Sequence, residues 1–227
     1  MTRHSIAEQG ILFDHERSAR IGLPEAVFCE GKPVTALRAL LKEYGSNPRR
    51  PILFTRLAPS VFYSMSEEIR SLYDYHELSR TAFSSCLPLK KGRSVAVVSA
   101  GTADGETAWE AARTLAYLGI ETRMYEDCGV AGLWRVLANL EDINKADVII
   151  VVAGLDAALA SVLGGLTGKP LFAVPSPVGY GVARDGGAAL ASMLASCAPG
   201  IGVLNTGNGY GAACAAARII NTRKELS

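Results

Sequence analysis

Four apolar, β-branched runs in the second half of the chain each break into a glycine-rich or small-residue turn. Residues 95–98 lead into Ser99-Ala100-Gly101-Thr102, and residues 148–152 into Ala153-Gly154. Residues 171–174 lead into Pro175 to Gly181, and residues 201–204 into Asn205 to Gly211. The full pattern predicts strands over 93–98, 120–125, 147–152, 170–174 and 201–204. It predicts helices over 105–118, 130–140, 156–166, 185–196 and 209–221; Trp109, Ala112, Leu115 and Ala116 in the first keep helical spacing. Five βα units with short connections require right-handed crossovers and helices on both faces. Uninterrupted apolar strands suit parallel positions covered on both sides. The expected fold class is α/β: a three-layer, doubly wound parallel sheet of flavodoxin-like or Rossmann-like form. In such a sheet the turns share the carboxyl edge, where open α/β folds bind ligands.

The first part of the chain reads differently. Only four of the 23 glycines precede residue 92. Residues 35–44 and 65–85 read as helices, 52–55 as a short strand, and 21–28 as a loop and strand. Residues 1–88 therefore form a small N-terminal α+β appendage, residues 87–93 a linker, and residues 92–227 the βα domain.

Composition narrows the function. A chain of 227 residues supports one good core with an appendage, and half of it is hydrophobic. A net charge of +1 gives no large basic field, which argues against a nucleic-acid partner bound through phosphate neutralisation. Polar sequence follows Met1, so no secretory signal is expected. The longest apolar stretch, near 146–166, is cut by Asp147 and Asp156, which argues against a membrane span. Five cysteines without a C-x-x-C spacing read as reduced thiols in a cytoplasmic protein.

Several residues carry candidate chemistry. In Ser99 to Asp104, Gly101 permits close backbone approach, the hydroxyls can donate, and a helix N-terminus favours an anion. Asp104 also suits a simple capping role. Gly207 to Ala212 fits a loose G-x-G-x-x-A, but it follows the last strand, so a dinucleotide fingerprint is rejected. Cys197 closes the fourth predicted helix of the domain, and Cys214 sits among alanines in the fifth. All three histidines (His4, His15, His76) precede residue 92, so the βα domain holds no Ser-His-Asp triad or histidine-ligated metal of its own. Acid–base work there falls to carboxylates or a thiol.

Taken in order, Ser99 to Asp104, Asp127-Cys128-Gly129-Val130-Ala131-Gly132-Leu133, Val152-Ala153-Gly154, Val178-Gly179-Tyr180-Gly181, Ser196-Cys197-Ala198 and Asn205 to Gly211 resemble the LarB family. The tract from Gly22 to Phe28, with Gly31-Lys32, extends the resemblance over nearly the whole chain. LarB proteins carry a domain like the purine-pathway carboxylase PurE and serve nickel-pincer cofactor biosynthesis. The resemblance implies a carboxylase/hydrolase that takes nicotinic acid adenine dinucleotide with CO2 or bicarbonate. It would carboxylate C5 of the pyridinium ring and cleave the phosphoanhydride, giving pyridinium-3,5-biscarboxylate mononucleotide and AMP. It implies Cys197 as nucleophile, no organic cofactor, magnesium for the hydrolysis, and a homo-octamer. By analogy with PurE-like sites, Asp104 handles the C5 proton. The substrate-binding set expected at the rim is Ser99, Gly101, Thr102, Gly154, Asp156, Pro175, Gly179, Tyr180, Gly181, Asn205, Asn208 and Gly209.

Ala103, Trp134 and Asp156 depart from the serine, histidine and glutamate usual in LarB sequences. Two other readings stay open. One is a PurE-type aminoimidazole ribonucleotide carboxylase or mutase, opposed by the missing βα-domain histidine. The other is a non-catalytic nucleotide-binding protein.

Overall fold

Valine, isoleucine and alanine fill β5 (Ser94–Ser99) and β7 (Val148–Ala153), and Val95–Val98 and all of β7 are buried. Burying one such side chain contributes about 1.5–3 kcal/mol, so these two strands anchor their sheet. They lie at its centre, flanked by β6 (Glu121–Tyr125), β8 (Leu171–Pro175) and β9 (Gly202–Val203), in the order β6-β5-β7-β8-β9. Every pairing is parallel, with Ser99 opposite Val152 and Ala153 opposite Pro175. The computed structural model describes residues 11–45, 47 and 50–222. It divides into two units, Met1–Pro88 and Leu89–Ser227.

In the second unit each strand is followed by a helix: α5 (Gly105–Tyr117), α6 (Trp134–Ile143), α7 (Ala158–Leu166), α8 (Gly187–Leu194) and α9 (Gly209–Thr222). The expected α/β sheet is thus present, with strand bounds shifted by at most one residue. Helix starts moved more. A 3-10 turn over Val130–Gly132 delays α6, and left-handed backbone at Leu155 and Ala157 delays α7. Extended and left-handed backbone at Arg184 and Asp185 delays α8.

The N-terminal unit has a mixed sheet in the order β1-β2-β4-β3: Ala26–Phe28, Leu53–Thr55, Thr81–Phe83 and Asp74–His76. β1 and β2 are parallel and joined through α2 (Val34–Gly45); α1 (Arg17–Ile21), α3 (Pro59–Phe62) and α4 (Glu67–Arg70) are short. The helix expected over 65–85 is corrected: only α4 is helical, and β3 and β4 pair as an antiparallel hairpin. Aromatic residues decide this. Tyr75 stacks on Phe62 at 4.1 Å, and the Tyr73 hydroxyl donates to the Leu41 carbonyl at 2.7 Å. Ser79 joins His76 to Thr81 within the hairpin, at 2.9 and 2.8 Å, satisfying polar groups a helix would have turned elsewhere. His4 lies outside the described residues. Among the described residues no helix is long and apolar enough to cross a membrane.

Candidate active site

The strand order reverses between β5, which neighbours β6, and β7, which neighbours β8. Ligand crevices of open α/β sheets form at this switch point, outside the carboxyl ends of the strands. A cleft of about 490 Å³ lies there, lined by residues 100–101, 103–104, 129–131, 153–159 and 178. Its lining is apolar and backbone-rich, and the ionisable residues within it are Asp104 and Asp156.

Asp104 is held by the turn that follows β5. Its Oδ2 accepts the Gly101 N–H at 2.8 Å, while the Asp104 N–H donates to the Gly101 carbonyl at 3.1 Å. The residue is 5 % exposed, and its Oδ1 is buried without a hydrogen bond. Burial pushes this carboxyl above the ordinary carboxylate range. The Gly101 N–H opposes that shift, as do the nearby Ser176 hydroxyl and Gly154 amide, though neither of the latter two donates to Oδ1 in good geometry. A side chain at Gly154 would place its Cβ 2.3 Å from the Val178 carbonyl and 3.2 Å from Asp104 Oδ1. Only glycine fits where these two loops clasp over the carboxylate.

Asp156 is presented by unusual backbone. Leu155 and Ala157 on either side have φ of 55° and 53°. Such values cost non-glycine residues roughly 1–2 kcal/mol each. The Asp156 Oδ1 accepts the Ala158 N–H at 3.3 Å, at the start of α7. Ser99 lies beneath the cleft, fully buried, with its Oγ unpaired.

The match to known families settles the lineage. The AIR carboxylase profile covers residues 94–226, and the LarB/PurE-like N-terminal domain profile covers residues 9–85. The chain belongs to the LarB family. It is also similar to an uncharacterized protein of Methanocaldococcus jannaschii, 34% identical over 216 residues, which are 90% of this chain and 82% of that protein. Its two domains are those of carboxylase families, and LarB membership joins the N-terminal unit and the PurE-like sheet in one chain.

The LarB chain brings only some of the expected residues together. Gly101, Asp104, Gly154 and Asp156 line the cleft, and Gly179 directly follows its member Val178. Thr102 is exposed beside the Asp104 turn, Tyr180 and Gly181 are exposed further along the loop after β8, and Pro175 is buried, accepting the Gly207 N–H at 2.8 Å.

The last loop is occupied with its own helix. Asn208 Oδ1 caps the Gly211 N–H at 2.8 Å, and the buried Glu110 of α5 accepts the Tyr210 N–H at 3.1 Å. A Cβ on Gly209 would lie 2.3 Å from the Thr107 carbonyl, so this glycine lets α9 press against α5. Asn205 is exposed and accepts the Thr206 N–H. None of Asn205, Asn208 and Gly209 lines the cleft.

Cys197 is exposed on the connection between α8 and β9. A segment that leads into a strand lies at the amino edge of a parallel sheet, so within one chain Cys197 stands opposite the rim that holds Asp104. Cys128 is buried beside the cleft, and burial pushes its thiol up.

The wall formed by Gly129, Val130 and Ala131 was absent from the expected site. Strand 120–125 lacks the apolar-run-to-glycine signature of its neighbours, which kept this turn out of the expected binding set, although the motif from Asp127 to Leu133 and its glycine at 129 were the available signal.

Proposed function

We propose that the protein is a LarB-type carboxylase acting on a pyridinium nucleotide, nicotinic acid adenine dinucleotide, with CO2 or bicarbonate as carbon source. The observation that carries this reading is the cleft itself: apolar walls and two carboxylates, at the switch point, suit a flat cationic ring. A pyridinium ring is electron-poor and does not attack CO2. Addition of the Cys197 thiolate at C4 gives a neutral 1,4-dihydropyridine whose C5=C6 bond is an enamine. C5 then bonds to CO2, leaving an iminium at N1 and C6. Asp104 takes the C5 proton, re-forming C5=C6. The nitrogen lone pair expels the thiolate from C4 and restores the aromatic ring. The net change is replacement of the C5 hydrogen by carboxylate, with release of one proton. A raised carboxyl pKa suits Asp104 to this proton transfer, because a stronger base competes better for the C5 proton.

Of the second unit's cysteines, Cys128 is buried and Cys214 half-buried, which leaves Cys197 as its exposed thiol. With that thiol at the opposite edge, this reading requires a neighbouring copy to supply it, as in a homo-oligomer. Exposed Tyr180, Val182 and Trp134 near the rim and Leu194 near Cys197 are suited to covering one another between copies. Hydrolysis of the phosphoanhydride is a separate reaction with water. Magnesium held by substrate phosphates and Asp156 would supply charge neutralisation there, a two-source arrangement usual for this ion.

The test is incubation of the protein with nicotinic acid adenine dinucleotide, 13C-bicarbonate and magnesium, followed by mass analysis. A labelled mononucleotide carrying one added carboxylate, together with AMP, is expected. Recovery of unchanged dinucleotide would refute the reading.

A further inference from the structure

We propose that Ser161 is a positioning residue for Cys197, holding from α7 the turn that presents the thiol; this rests on the cysteine-dependent reading above. A thiolate adds to a ring carbon only in a narrow attack geometry, so its backbone has to be fixed. Cys197 sits among residues 195–201, between α8 and β9 and outside any helix or strand. The order of that segment therefore comes from contacts made by its side chains.

The turn closes on itself through Ser196. Its Oγ accepts the Ala198 N–H at 3.2 Å, forming a hydroxyl-to-backbone ring with Cys197 in its middle. The same oxygen is joined to the Ser161 hydroxyl of α7 at 2.7 Å, across 35 positions of sequence. A serine hydroxyl has one proton and two lone pairs, so Ser196 satisfies both bonds at once. Three residues further along α7, and so on the same face, stands Gly164. A Cβ there would lie 2.7 Å from the Ala198 Cβ and 2.8 Å from Ile201 Cδ1, so the glycine leaves room for the apolar side of the turn. Ser161 and Gly164 thus hold the turn at two points, one polar and one apolar. Ser196 and Ala198 are half-buried, while Cys197 between them is exposed. The flanks are fixed and the thiol-bearing residue stays open to a neighbouring molecule. The first two residues of α7, Ala158 and Leu159, line the cleft. One helix therefore sets both the cleft wall of its own chain and the thiol that the chain offers.

The experiment compares wild type, Ser161→Ala, Ser161→Thr and Thr167→Val as full chains. Thr167 follows α7 and its hydroxyl donates to Asn144 Oδ1 at 2.6 Å, so Thr167→Val removes a comparable bond at the other end of the helix. Each protein is given nicotinic acid adenine dinucleotide, 13C-bicarbonate and magnesium, and label incorporation and AMP release are followed in the same samples. Hydrogen exchange reports the Ala198 amide. Ser161→Ala should lower kcat for carboxylation about 10–100-fold, the scale of a misplacement near 1 Å. The KM for dinucleotide and the rate of AMP release should not change, because the thiol acts in neither ground-state binding nor hydrolysis. The Ala198 amide should exchange faster. Ser161→Thr, which keeps the hydroxyl, should restore most of kcat, and Thr167→Val should match wild type. A wild-type kcat or unchanged Ala198 exchange in Ser161→Ala overturns the positioning role. So does an equal fall in Thr167→Val, or a parallel fall of carboxylation and AMP release. A wild type that forms no labelled product refutes the carboxylase reading and this role with it; faster Ala198 exchange in Ser161→Ala would then leave the tether as structure alone.

Discussion

Replacing Asp104 by asparagine should make the enzyme more stable at neutral pH while nearly abolishing turnover. The two effects share one cause. The wild-type carboxylate is buried, with Oδ2 on the Gly101 amide and Oδ1 unpaired. Burial raises its pKa above the ordinary value. Over the interval between the ordinary and the raised value, the folded protein binds more protons than the unfolded chain. Stability therefore falls as pH rises through that window and stays lower above it. Asparagine keeps the shape and the acceptor for Gly101 and carries no charge to desolvate. An unsatisfied buried polar group costs about 1–3 kcal/mol, more when charged, and the amide recovers part of that. A gain on the order of 1 kcal/mol corresponds to about 3 °C in Tm for a unit of this size. Thermal melts of both proteins at pH 7 and at pH 3 check it: the gain should be present at pH 7 and vanish at pH 3. Turnover, followed by label incorporation from 13C-bicarbonate, should drop by about 10²–10⁴-fold, with dinucleotide binding retained. A lower Tm at pH 7 would show that the charged form stabilises the turn, and unchanged turnover would leave Asp104 a cap.

Cys197→Ser should fold normally and lose carboxylation, since a serine hydroxyl is scarcely ionised at neutral pH. If copies exchange residues, mixing inactive Cys197→Ser with inactive Asp104→Asn and refolding together should restore about a quarter of the activity, from sites that draw one intact residue from each chain; no recovery would place both residues in one chain's site. Gly154→Ala puts a methyl 2.3 Å from the Val178 carbonyl, so it should cost about 1–3 kcal/mol in denaturant melts and depress turnover by displacing Asp104. Glu110→Ala removes the acceptor for the Tyr210 amide and should cost about 1 kcal/mol, the value of a helix cap, with dinucleotide affinity unchanged. A large loss of affinity there would return the last loop to the binding site.

The sequence by itself determined the sheet and its working edge. Apolar runs of strand length, each breaking into glycine and then into an Ala-rich helix, admit few folds once crossovers must be right-handed. Ser99 to Asp104 and Ala153-Gly154 were legible as rim because both follow such runs directly, and motif order carried the family. What tertiary structure decided lies in contacts between residues far apart in the chain. The last glycine-rich loop reads as a ligand cradle, yet Glu110, 100 positions before Tyr210, already occupies the N-terminus of α9. Residues 65–85 carry a helix-compatible pattern, yet Phe62 and Leu41 hold Tyr75 and Tyr73 in a hairpin arrangement. Gly129 is legible as a turn and its motif belongs to the resemblance, but that Gly129 to Ala131 form a wall of the cleft depends on β6 lying beside β5. Cys197 is the clearest case. Its motif announces chemistry, but a residue between a helix and the next strand falls at the amino edge, and the direction of the strands sets that position whatever the motif says.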